Sequence, residues 1–175
     1  MHGYTLFDTA LGRCAVAWGE RGIAAVELPG RDDAATLLRV RHALPDAAEA
    51  TPPPAVADAI AAITRLFAGE PDDLAGVVLD LEDVPDFHRR VYDLARTIPP
   101  GETRSYGEVA AALGEPGAAQ AVGRALGANP CPIVVPCHRV LAADGTLHGF
   151  SAPGGLATKR RMLAIEGALA PALFD

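Results

Sequence analysis

The chain has 175 residues, 50% of them hydrophobic and 21% charged, which suits one domain or two small ones with a buried core and excludes a disordered tail. No run of about 20 unbroken apolar residues occurs, and Met1-His2-Gly3-Tyr4 lacks the basic and then apolar pattern of a secretion signal, so no membrane association and a cytoplasmic location are expected. The net charge of -7 speaks against a nucleic-acid partner only when taken whole: residues 1–84 carry 6 Lys+Arg against 14 Asp+Glu, residues 85–174 carry 9 against 7, and the mildly basic second half leaves phosphate contact open.

Thr5-Leu6-Phe7, Cys14–Trp18 and Ile23–Leu28 read as strands, separated by turns at Gly12 and at Glu20-Arg21-Gly22. Asp32 or Asp33 can cap a helix over 34–43. After Thr51-Pro52-Pro53-Pro54 a second helix is expected over about 55–68, ending at Gly69, and Val77–Leu81 reads as a further strand. From Asp86 the pattern changes. Phe87, Val91, Leu94, Ala95 and Ile98 recur at three and four residues, predicting an amphipathic helix stopped by Pro99-Pro100-Gly101. Ser105 can cap a helix over Tyr106–Leu113, with Glu108 in its first turn. Gly114–Gly117 turns the chain, and Pro116 can start a helix over 117–128. Two short helices joined by a tight turn form a helix-turn-helix pattern. A strand-like run over 132–135, a glycine-rich loop over 145–155 and a last helix over about 156–167 complete the chain. The fold class expected is α+β, with an α/β unit over residues 1–83 followed by a mostly helical unit over 84–175.

One surface of the helix over 117–128 is nearly all small: Gly117, Ala118, Ala119, Ala121, Gly123 and Ala125. Close packing against another helix explains most such surfaces; close approach of a nucleic-acid groove is the alternative.

Three cysteines, Cys14, Cys131 and Cys137, make neither a disulfide framework nor a recognised metal-ligand spacing. Cysteine attacks as its thiolate and needs a base or positive surroundings. His138 follows Cys137, but neighbours on an extended chain point to opposite sides, so a link through water and a carboxylate behind the imidazole would be needed. Adjacency alone is weak evidence.

The surrounding residues add to it. Ile98-Pro99-Pro100-Gly101-Glu102-Thr103-Arg104-Ser105-Tyr106-Gly107, then Ala121-Val122-Gly123, Asn129-Pro130 and Pro136-Cys137-His138-Arg139-Val140, in that order and spacing, resemble the O6-alkylguanine-DNA alkyltransferases. The likeness runs from about Phe87 to Glu166, and the first half fits more loosely the family's ribonuclease-H-like N-terminal domain. It implies a winged helix-turn-helix that enters the minor groove of double-stranded DNA and flips an alkylated guanine into a pocket. It implies that Cys137 takes a methyl or other alkyl group from O6, or from O4 of thymine, in one displacement that consumes the protein. Tyr106 then donates toward guanine N3, and His138 and Glu166 deprotonate the cysteine through water. Asn129 ties the helix-turn-helix to the Cys137 segment. Cys137 and Val140 offer carbonyls to the guanine amine. Ser151 supports O6, and Phe150, Gly154 and Lys159 complete the substrate side. Ser105, Ala119, Gln120, Gly123, Arg124 and Arg139 face DNA. Sulfur is itself the acceptor, so no metal or cofactor is implied, and a monomer is expected.

Two positions depart from the family. An arginine that holds the space of the flipped nucleotide is replaced by Gln120, with Arg124 one turn further on the same helix face. The loop Phe150-Ser151-Ala152-Pro153-Gly154-Gly155 is two residues longer, which bears on alkyl-size preference. The rival readings are a lesion sensor that binds without transfer, a cysteine hydrolase built on Cys137 and His138, and a plain helix-turn-helix regulator.

Overall fold

The computed structural model describes residues 2–147 and 152–169. Strands β1 (Gly3–Thr9), β2 (Gly12–Gly19) and β3 (Gly22–Glu27) form an antiparallel meander, and β4 (Ala48–Glu49) joins β1 in parallel, giving the order β3-β2-β1-β4. At the second turn Gly22 has φ 133, and a Cβ there would lie 2.7 Å from the Val78 carbonyl oxygen, so only glycine fits.

Alternation along β2 sorts the two faces of the sheet. Ala15 and Ala17 pack with Ala25 and with Val40 of α1 (Asp33–Ala43), whose N-cap Asp32 accepts from Ala35 N at 2.8 Å. Cys14, Val16 and Trp18 belong to the main core, together with Val56, Ile63, Leu66 and Phe67 of α2 (Pro54–Phe67). Each large apolar side chain so buried contributes roughly 1.5–3 kcal/mol.

Past residue 85 the chain is mostly helical: α3 (Asp86–Ala95), α4 (Tyr106–Ala112), α5 (Ala119–Gly127) and α6 (Gly155–Ile165). Ser105 caps α4, its Oγ accepting from Glu108 N at 3.0 Å. The buried face of α3 carries Val91, Tyr92 and Ala95, and the Tyr92 hydroxyl donates to the Ala125 carbonyl of α5 at 2.6 Å. Two short strands, β5 (Arg104–Ser105) and β6 (Val140–Leu141), pair in parallel. That pairing sets the start of α4 beside the 3-10 turn Cys137–Arg139. The sheet reaches the same region, because Val26 N of β3 donates to the Pro130 carbonyl at 3.0 Å. One cluster of buried apolar residues runs from Phe7 and Val16 through Val91 and Val122 to Cys137. Among the described residues no helix is long and apolar enough to cross a membrane.

Two expected strands are absent as such. Over 77–81 only Leu79 makes a bridge, to Ile23, and the segment is held instead by Ile23 N on Val78 O, Asp80 N on Ile23 O, and Arg96 on the carbonyls of Leu74 and Val77. The apolar run 132–135 is a tight turn. Pro132 and Pro136 have no N–H for a ladder, Val135 N donates to Cys131 O at 2.9 Å, and Ile133 sits at φ 79, a left-handed conformation unusual for a β-branched residue. The helix expected to start at Pro116 starts at Ala119, with Pro116 and Gly117 in the preceding turn.

Candidate active site around Cys137

The turn before Cys137 is built around one carbonyl. Val135 O accepts from the Cys137 backbone N–H at 2.8 Å and from the Asn129 side-chain amide at 2.9 Å, while the Asn129 Oδ1 accepts from Cys131 N at 2.9 Å. Pro136, at φ -80 and ψ 65, gives the inverse γ-turn that this pattern requires. Asn129 lies just past the end of α5, so the helix and the Cys137 segment are joined through its side chain. The expected extended backbone is replaced by a 3-10 turn at Cys137–Arg139.

Cys137 is 8% exposed and lines a cavity of about 150 Å³ together with Tyr106, Leu126, Asn129, Pro132, Ala152 and Lys159. Burial pushes the thiol up, while the Asn129 amide, the Lys159 ammonium and the backbone N–H groups of Cys137 and His138 pull it down. Burial pushes Cys14 and Cys131 up as well, to about 11 and about 12, and neither lines the cavity. Cys137, raised by burial like the others, is set apart by its place on the cavity wall with the Asn129 amide and the Lys159 ammonium beside it.

The two residues after Cys137 belong to a shielded ionic group. His138 Nε2 is 2.6 Å from Glu166 Oε1, and Arg139 binds both oxygens of the same carboxylate, Nε to Oε2 at 2.8 Å and Nη2 to Oε1 at 3.0 Å. Arg139 Nη1 donates to the Ile98 carbonyl at 2.7 Å. Burial raises Glu166, but the hydrogen bonds from His138 and Arg139 outweigh it and hold the carboxyl at about 2. Burial lowers His138 more than Glu166 raises it, so the imidazole is neutral near pH 7. With Nε2–H directed at the carboxylate, Nδ1 carries the lone pair. That atom is buried without a hydrogen-bond partner among the described residues.

Lys159 is 1% exposed, and its Nζ donates to the Val140 carbonyl at 2.9 Å; burial lowers its pKa and Cys137 raises it. Tyr106, at the start of α4, packs against Gly123 of α5: a Cβ on Gly123 would lie 3.9 Å from the ring. Burial, and then the neighbouring Cys137, push the Tyr106 phenol up, so its proton is retained.

Tyr106, Asn129, Cys137 and Lys159 thus share one cavity, with His138 and Glu166 behind it. Gln120 and Arg124 are exposed on α5, and Ala119, Gly123 and Ser105 are half-buried beside them. Two expectations are placed differently. Arg139, expected to face DNA, is 2% exposed and spent on Glu166 and Ile98, because a guanidinium beside a buried carboxylate is held there by its charge. Gly154 does not line the cavity. It starts α6 at φ 83, where a Cβ would fall 1.9 Å from Thr158 Oγ1. Phe150 and Ser151 lie outside the described residues. The sequence reading missed Val26, Glu27, Leu28 and Arg39, which also line the cavity. The sequence signal was slight: Glu27 is the one charge inside the apolar run Ile23–Leu28.

An α+β chain with a small sheet, helices and a cavity-lining cysteine backed by His-Glu-Arg defines a class of cysteine-nucleophile proteins. Residues 86–168 match the family described as 6-O-methylguanine DNA methyltransferase, DNA binding domain. The chain is 45% identical over 159 residues to the methylated-DNA–protein-cysteine methyltransferase of Mycolicibacterium paratuberculosis, covering 87% of this chain and 94% of that protein. It is 39% identical over 170 residues to the bifunctional transcriptional activator/DNA repair enzyme Ada of Escherichia coli, covering 93% of this chain but 45% of Ada. Its fold matches Mycobacterium tuberculosis O6-methylguanine methyltransferase over all of both chains, with TM-score 0.76 and 38% identity. It also matches Mycobacterium tuberculosis OGT in complex with DNA over 97% of this chain and 96% of that one, at TM-score 0.72 and 37% identity. The chain belongs to the methylated-DNA–protein-cysteine methyltransferase family.

Proposed function

We propose that this protein repairs double-stranded DNA by moving a methyl or other alkyl group from guanine O6 to Cys137, once per molecule. The main support is the position of Cys137, the one cysteine on the cavity, with a neutral His138 and an ionised Glu166 behind it. The sulfur loses its proton through one water to His138 Nδ1, and the resulting imidazolium is stabilised by Glu166. The thiolate forms a bond to the alkyl carbon as the carbon–O6 bond breaks, and that electron pair passes into the purine. Tyr106 donates a proton to the departing guanine at N3. The product thioether has no leaving group that water displaces, so the protein is spent.

In this reading Asn129 and Lys159 are positioning residues. Lys159 already occupies one lone pair of the Val140 carbonyl, leaving the second for a guanine amine. The α4–α5 pair enters the minor groove as a winged helix-turn-helix, with Gln120 filling the gap of the flipped nucleotide and Arg124 on phosphate; the exposure of both residues supports this. Residues 1–83 form a ribonuclease-H-like domain, consistent with the order β3-β2-β1-β4 and a fourth strand parallel to the first, and residues 84–175 form the alkyltransferase domain. The protein acts as a cytoplasmic monomer.

The test is turnover. With excess labelled O6-methylguanine duplex, methyl loss should stop at one per protein chain. Continued release would indicate a hydrolase, and binding without loss a sensor.

A further inference from the structure

Part of the wall around Cys137 comes from outside residues 86–168. Glu27 and Leu28 at the end of β3 and Arg39 on α1 line the same cavity as Cys137, Tyr106 and Lys159. Arg39 Nε donates to Glu27 Oε2 at 2.8 Å, with the Arg39 side chain 44% exposed and that of Glu27 12% exposed. This is a single-point contact. Arg139, by contrast, engages Nε, Nη1 and Nη2. The two terminal amino groups of Arg39 have no partner among the described residues. Glu27 thus anchors the guanidinium by its inner nitrogen and leaves the outer fork open. That fork is the part of arginine matched to the two oxygens of a carboxylate. With Lys159, the wall carries two cations against one carboxylate among the described residues.

We infer that Arg39, held by Glu27, is a specificity determinant that favours alkyl groups ending in a carboxylate. This rests on the alkyl-transfer reading above and adds a substrate class to it. The transfer step itself is unchanged: the sulfur–carbon bond forms, the carbon–O6 bond breaks, and the carboxylate remains on the alkyl group.

The experiment compares single-turnover transfer from duplexes containing O6-carboxymethylguanine and O6-carbamoylmethylguanine, which are nearly equal in shape and differ by one charge. The ratio of the two rates is the readout, so a general loss of folding cancels. The wild-type protein should favour the carboxylate. Arg39→Gln should lower the ratio about tenfold, the size of one charge-assisted hydrogen bond, and Arg39→Lys should lower it less. Glu27→Gln should raise it by removing the competing carboxylate. An unchanged ratio in Arg39→Gln overturns the assignment. So does an equal fall in both rates, which would make Arg39 a DNA-phosphate contact or a purely structural residue. If the wild-type protein transfers neither group, nor methyl, the alkyl-transfer reading itself fails.

Discussion

His138 Nε2 lies 2.6 Å from Glu166 Oε1, and both side chains are fully shielded from solvent. A buried carboxylate is costly unless its lone pairs and charge are met, and Arg139 supplies what His138 leaves. The same contact fixes the imidazole with its second nitrogen unbound by protein among the described residues. His138 and Arg139, the two residues that follow Cys137, are therefore both tied to one carboxylate.

Glu166→Gln keeps an acceptor for His138 but leaves the Arg139 charge buried and unmatched. Breaking a buried pair this way costs about 3–5 kcal/mol. Urea unfolding should show a loss of that size, and single-turnover methyl transfer should slow as well. A stability within about 1 kcal/mol of wild type would contradict the account.

The pH dependence of stability has a defined sign. Glu166 is held at about 2 in the folded state, below its ordinary 4.5, so its contribution is present above pH 4.5 and is lost as pH falls toward 2. His138 is lowered by burial from 6.5, so below that pH the unfolded chain takes up the proton more readily and stability falls with pH there too. Denaturant midpoints should drop from about pH 6.5 downward, and more steeply below 4.5. Glu166→Gln should remove the steeper part; a wild-type profile flat from pH 7 to 4 would refute the assignment.

Asn129→Ala removes the bond to Val135 O and the acceptor for Cys131 N. Cys131 N is then left unsatisfied, at a cost of about 1–3 kcal/mol, while Val135 O keeps the Cys137 N–H. The expected result is lower stability together with a transfer rate that falls for free O6-benzylguanine as well as for DNA, since the Cys137 turn itself is loosened. A defect confined to DNA substrates would place the role of Asn129 elsewhere.

Arg124 is exposed on α5 with no partner for its guanidinium among the described residues. Arg124→Ala should weaken DNA binding and reduce the slope of log affinity against log salt by about one. Gln120→Arg should tighten binding to lesion-containing duplex and speed transfer by restoring a longer, charged side chain in the gap. Unchanged binding in Arg124→Ala would remove it from the interface.

The sequence showed the helices, the three-stranded meander and the ordered residues Tyr106, Asn129, Cys137, His138 and Glu166, because hydrophobic period, capping residues and the Pro-Cys-His-Arg-Val run are local signals. It misread 132–135, where four apolar residues look like a strand. The outcome there is set by two prolines and by Asn129, whose bonds appear only in three dimensions. Arg139 looked like a surface cation because its partners, Ile98 and Glu166, lie far away in the chain. Glu27 and Arg39 were barely signalled as wall residues for the same reason: β3 reaches Pro130 through a backbone bond that no spacing announces.

The most direct test of the central claim is to locate the transferred group. After reaction with an O6-methylguanine duplex, a peptide mass map should show a single methyl gain on the peptide containing Cys137, none on those containing Cys14 or Cys131, and no gain in Cys137→Ser. A methyl group on Cys131 or Cys14, or repaired DNA with an unmodified protein, would contradict the account.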